Sequence, residues 1–171
     1  MKKILFTLAL VSLAAGAAFA QAPAARGGSR DRVPALPAEE FKLESLKGRV
    51  VLMACWKTPG EARARMLPWL NRLQEDFGDK GLTVVAVNLN DKSAGASDAF
   101  QTLHPRMQVV LDPTRRMFER QELAQVPAGV LYDRAGEVIL AFEGFKSEDP
   151  ETLTPVIEAM VLQPVEEEEK K

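Results

Sequence analysis

Val50-Val51-Leu52-Met53-Ala54-Cys55-Trp56 and, further on, Leu82-Thr83-Val84-Val85-Ala86-Val87-Asn88-Leu89 are the two runs that decide the fold. Each is short, rich in branched apolar residues and apolar on both parities, so each predicts a strand buried on both faces of a sheet. Between them Met66, Trp69, Leu70, Leu73 and Phe77 recur at three- and four-residue steps, one stripe of an amphipathic helix from Glu61 to Phe77. Pro68 removes one backbone donor inside that helix, so a kink is expected there, and Gly78 and Gly81 end it. Strand, helix and strand in this order predict a parallel pair joined by a right-handed connection.

Toward the C-terminus, a polar stretch from Asp91 to Ser97 leads to a short predicted helix near Asp98 to Leu103. Gln108 to Leu111 follows as a third strand, stopped by Asp112-Pro113, and then a predicted helix from about Thr114 to Leu123. Val130-Leu131-Tyr132 and Val138 to Phe142 flank the turn Asp133-Arg134-Ala135-Gly136 as a hairpin, and Leu153 to Leu162 closes the domain as a helix. Parallel units followed by an antiparallel hairpin give an α/β class with a central mixed sheet flanked by helices.

Toward the N-terminus the domain is expected to start near Phe41, with Leu43, Leu46 and Gly48 before the first deciding run. Gln21 to about Pro37 is rich in Ala, Gly, Pro and Arg without apolar periodicity, which predicts a flexible leader. Lys2 and Lys3, the apolar run opened by Ile4 to Val11 and the small residues of Ala18-Phe19-Ala20 predict a signal peptide cut before Gln21. An uncleaved anchor is the weaker reading, because a stable span needs about 20 apolar residues. No cysteine follows the run to carry a lipid. The expected organisation is a signal peptide over residues 1–20, a leader over 21–36, one domain over 37–163 and a charged tail over 164–171. The product is then periplasmic or secreted, with no membrane span after cleavage.

A net charge of −2 without a basic cluster gives no electrostatic case for nucleic acid or for an anionic membrane surface. Cys55 is the only cysteine, so no internal disulfide can form, and a small apolar filler in a central strand is its simplest role. The only histidine, His104, precedes Pro105 without visible partners, so neither a metal site nor a histidine relay can be built around it. A Gly-rich phosphate loop and a serine nucleophile motif are both missing, and no cofactor is expected.

From about Leu36 to Leu162 the chain resembles the TlpA-type thioredoxin-like family of exported redoxins. Phe41-Lys42-Leu43 through Leu46-Lys47-Gly48 resembles the family's opening strand, and Val50 to Trp56 the strand that ends in its Phe-Trp pair. Trp56, Thr58 and Pro68 stand where the family has the Trp and Thr before its active site and the Pro in the following helix. Val126-Pro127 resembles its Val-Pro, and Tyr132-Asp133-Arg134-Ala135-Gly136-Glu137-Val138 its Ile-Asp-x-x-Gly-x-Ile. The resemblance implies a thioredoxin-like fold and thiol-disulfide exchange. Counted from Trp56 to Pro68 without a gap, however, Gly60, Glu61, Ala62 and Arg63 occupy the family's Cys-x-x-Cys. That chemistry needs a thiolate at a helix N-terminus and a second thiol one turn along, and neither glycine nor a guanidinium supplies one. Thr58-Pro59-Gly60-Glu61 also resembles the Thr-Pro-Gly-Cys of some peroxiredoxins, with Glu61 in place of the attacking cysteine.

The predicted function is therefore a degenerate redoxin that binds an exported protein, a peptide or a small ligand. The candidate groove comprises Trp56, Pro59, Gly60, Arg63, Val126 and Pro127, and Cys55 is a possible free thiol. In the resembled family the proline equivalent to Pro127 is cis and leaves the preceding backbone free to pair with an extended peptide; a purely structural turn is the alternative reading of Pro127. Arg63 with Arg65 offers an anion-receptive spot beside the free backbone N–H groups of the helix start, and the competing reading is an ordinary solvated arginine. The rival expectation is a thiol-disulfide or peroxiredoxin-like enzyme that relies on Cys55 or on a partner's thiol.

Overall fold

A computed structural model describes residues 35–58, 60–90 and 100–164, residues 61–63 by their backbone alone. The predicted signal peptide, the leader up to residue 34, Pro59, the polar stretch 91–99 and the tail from residue 165 lie outside the described residues. Six strands, β1 (Ala35–Pro37), β2 (Val50–Trp56), β3 (Leu82–Asn88), β4 (Gln108–Leu111), β5 (Ala128–Tyr132) and β6 (Val138–Glu143), form one sheet. Its order is β1-β4-β3-β2-β5-β6. The pairs β1·β4, β4·β3 and β3·β2 are parallel, whereas β2·β5 and β5·β6 are antiparallel. The expected mixed sheet is thus present, and among the described residues the helices flanking it are α1 (Glu61–Phe77), α2 (Arg116–Glu119) and α3 (Asp149–Leu162).

β2 lies inside the sheet with a core on each face, which is why it is apolar on both parities. Val50, Leu52, Ala54 and Trp56 point into a core shared with Met66, Leu70 and Leu73 of α1 and Ile157 and Val161 of α3. Val51, Met53 and Cys55 point into a second core with Val85, Val87, Phe118 and Val130, beneath α2. The strand period of two therefore sends neighbouring residues into different layers. α1 runs through Pro68 as one helix, and Gly81 ends the following turn at φ 112, a conformation that favours glycine. Gly129 is required by packing, because a Cβ there would lie 2.5 Å from the Phe142 ring on the paired strand.

Several boundaries differ from the sequence reading, the hairpin strands β5 and β6 by a residue or two and others by more. Ala35 and Leu36, expected in the leader, belong to β1 through pairing with Val109 and Val110, so the folded unit begins before residue 37. Leu43–Leu46, within the segment matched to the family's opening strand, is a 3-10 turn. The helix expected from Thr114 to Leu123 shrinks to Arg116–Glu119, since Arg115 (φ 61) and Glu122 (φ 56) are left-handed and bracket it. The last helix starts at Asp149 rather than Leu153, with Pro150 in its first turn, where a missing N–H costs nothing. The short helix expected near Asp98 to Leu103 falls partly outside the described residues; within them Leu103 N–H donates to the Phe100 carbonyl at 3.3 Å as a turn.

Candidate functional site

The parallel strands end at one rim of the sheet, where loops can present groups to a ligand. Cys55 pairs with Ala128, so Pro127 enters the sheet abreast of Trp56, and the Val126-Pro127 peptide is cis. Gly60 caps the N-terminus of α1 at the same end of β2 and is exposed. The Pro127 carbonyl accepts from Gly144 N–H at 2.7 Å, whereas Val126 N–H and C=O take no hydrogen bond among the described residues. Val126 and Pro127 are half-buried.

The β2–α1 loop is tied down by residues that the sequence reading did not single out. Thr58 N–H donates to Asn90 Oδ1 and Asn90 Nδ2 donates to the Thr58 carbonyl, each at 2.8 Å. Asn90 N–H in turn donates to Asn88 Oδ1 at 3.0 Å. The available signal was the pair of asparagines flanking Leu89, where the apolar run of β3 gives way. Such residues hydrogen-bond backbone readily and fix loops.

Trp56 was expected to flank the groove and does not. It is fully buried, because its parity sends the indole beneath α1, edge-on to Phe100 with ring centres 6.0 Å apart. Trp56 underlies the site rather than lining it. Arg63 lies in the first turn of α1, with its side chain outside the described residues, as Pro59 is altogether. Gly60, Val126 and Pro127 are the expected groove residues that the fold brings to one rim.

Cys55 is fully buried on the other face. Burial first, and the negative charge of Asp112 second, push its thiol up from 9.0 to about 12, so at neutral pH it is an uncharged thiol. Asp112 is itself buried, and its carboxylate accepts from the N–H groups of Arg116 (3.1 Å), Met117 (2.9 Å) and Phe118 (3.2 Å) and from Thr114 Oγ1 (3.2 Å). Tyr132, whose hydroxyl donates to Gln121 Oε1, is likewise pushed up to about 12 by burial and then by Cys55. A nucleophilic thiolate requires access and charge stabilisation; the sheet itself separates Cys55 from the start of α1. Among the described residues, no group of three His, Cys, Asp or Glu side chains could hold a metal ion.

No family model matches the chain. A crystal structure assigned as the thiol:disulfide interchange protein DsbE from Chlorobium tepidum is 31% identical, covering 77% of this chain and 96% of that one at a TM-score of 0.68. The thiol-disulfide oxidoreductase ResA of Bacillus subtilis is 24% identical over 110 residues, 64% of this chain. The match spans 62% of that protein, so the chain spans about three fifths of the length of such curated relatives. The thioredoxin domain of a thiol-disulfide oxidoreductase from Bacteroides vulgatus superposes at a TM-score of 0.57 with 21% identity, over 68% of this chain and 85% of that one, a likeness of fold. With its mixed sheet, its cis Val126-Pro127 beside the start of α1 and this identity over nearly the whole of a solved relative, the chain belongs to the TlpA/ResA-type family of thioredoxin-like thiol-disulfide redoxins.

Proposed function

We propose that this protein is an exported redoxin without thiol-disulfide activity, which binds an extended peptide or a protein partner where the first turn of α1 meets Val126-Pro127. The observation that carries the reading is the separation of thiol and site: Gly60 and Arg63 stand where the resemblance places two cysteines, while Cys55 is buried on the opposite face. The N–H and C=O of Val126, unpaired among the described residues, support binding, since an extended segment gains main-chain hydrogen bonds there, each worth about 1 kcal/mol net. Export rests on the basic start, apolar run and Ala18-Phe19-Ala20 of the sequence. Among the described residues no helix is long and apolar enough to cross a membrane.

The test pairs two measurements on purified protein. Insulin-disulfide reduction should be undetectable; robust turnover that disappears in Cys55→Ser would transfer the case to an enzyme relying on that thiol. Affinity for an acidic partner captured from the exported fraction should fall about fivefold in Arg63→Glu at unchanged thermal stability, the scale of one lost surface charge contact. Equal affinity of the two forms would remove Arg63 from the site.

A further inference from the structure

A cavity of about 540 Å³ lies between the residues that follow β1 and α2. Phe41 and Met117, both half-buried against the Cys55-side core, give it an apolar floor. The exposed side chains of Arg116 and Arg120 rim it, together with Thr114 and one carboxylate, Glu39. Neither guanidinium enters an ion pair or a hydrogen bond among the described residues.

Two features of this segment run against its own stability. Arg116 opens α2 and Arg120 is its C-cap, still in right-handed backbone, so like charges stand four residues apart at a spacing where they repel. The two non-glycine residues of positive φ among the described residues, Arg115 and Glu122, sit at either side of the same helix. Left-handed backbone without glycine is costly and persists where the surroundings over-determine it, as at ligand sites. Arg115 adds a third positive charge, its guanidinium 4.9 Å over the Phe118 ring and its Nε buried without a partner. The N–H groups of α2 are already taken by Asp112, so any anion here is held by guanidinium groups alone.

We infer that this cavity binds a small monocarboxylate with an apolar body, the carboxylate bridging Arg116 and Arg120 and the apolar part resting on Phe41 and Met117. An anion between the two arginines converts their repulsion into paired charge-assisted hydrogen bonds, and their excess over Glu39 leaves the rim cationic. The site does not depend on the groove at Val126-Pro127.

Decanoate titrated calorimetrically into the purified protein tests it, with decanol as the uncharged analogue. Saturable decanoate binding, decanol weaker by at least about tenfold, and a loss of about tenfold in the double variant Arg116→Gln/Arg120→Gln at unchanged thermal stability are expected. Absence of saturable binding, equal affinity for decanol, or a double variant that binds as wild type would each overturn the inference. The decanol comparison uses wild-type protein, so its outcome does not depend on the folding of a variant.

Discussion

Cys55 and Trp56 are neighbours in the chain and belong to different chemical environments. Trp56 faces α1, next to the rim where Gly60 caps that helix without a side-chain hydrogen bond; Cys55 faces α2, under a buried carboxylate that raises the cost of ionising its sulfur. One step along a strand decides the layer, and the layer decides whether a thiol has a helix terminus to stabilise its anion or a carboxylate to oppose it. The presence of a cysteine within a few residues of a redox position therefore says little about redox chemistry.

The largest effect should come from moving thiols to the other side of this comparison. Gly60 has φ 179, extended backbone that any residue adopts, and a Cβ there would meet only the Lys57 carbonyl at 3.7 Å. The double variant Gly60→Cys/Arg63→Cys should form a disulfide and reduce insulin where the natural sequence does not, and the thiol introduced at the α1 N-cap should ionise below the ordinary range. In the natural sequence Cys55 should react with a bulky thiol reagent at least about a thousandfold more slowly folded than unfolded, since reaction waits for opening of the core. A double variant that folds but forms no bridge would show that the spacing taken from the family is misplaced by a residue or more.

A smaller contrast sets the two faces against each other as structures. Asp112→Ala removes the buried acceptor for three backbone N–H groups on the α2 side and should cost about 2–3 kcal/mol by chemical denaturation. Asn90→Ala removes the two bonds that hold Thr58 on the α1 side and should cost about 1 kcal/mol, because the half-buried loop groups regain water. Equal costs would mean that the rim is as rigid as the core beneath α2.

What the sequence disclosed follows the same division. Strands β2 and β3 and helix α1 were legible to within a residue, because continuous burial writes an uninterrupted apolar run or stripe, and the short β4 was marked by its Asp112-Pro113 stop. β1 was missed because a three-residue edge strand in a Pro- and Ala-rich segment gains its identity only from pairing with β4. The length of α2 was overread, since the apolar spacing of Met117, Phe118 and Leu123 carries no sign that Arg115 and Glu122 are left-handed. At the site, the residue types at positions 60 and 63 were plain, but the burial of Trp56 followed from parity within β2, and the ties of Asn90 to Thr58 span residues far apart in the chain.

The smallest effect is read in alkali, and it tests the burial of Cys55 without any reagent. The folded thiol keeps its proton until about pH 12, whereas in the unfolded chain it ionises around its ordinary value of 9.0. Between those values the unfolded state binds fewer protons than the folded one, so stability falls as pH rises, by at most about 1.4 kcal/mol per pH unit for this group. From about pH 9 to about pH 10 the loss should be about 1 kcal/mol, and below about pH 8 the thiol contributes almost no pH dependence. Tyr132 acts in the same direction from 10.0 upward and remains in a Cys55→Ala variant, so the informative quantity is the difference between the two slopes rather than either slope alone. Denaturant midpoints for wild type and Cys55→Ala, taken from about pH 7 to about pH 10.5, should run parallel below about pH 8 and converge above it, with the variant less affected. Slopes that coincide throughout would mean that Cys55 ionises as easily in the folded chain as in the unfolded one, which requires water at the sulfur and reopens the thiol chemistry that the α2 face otherwise forbids.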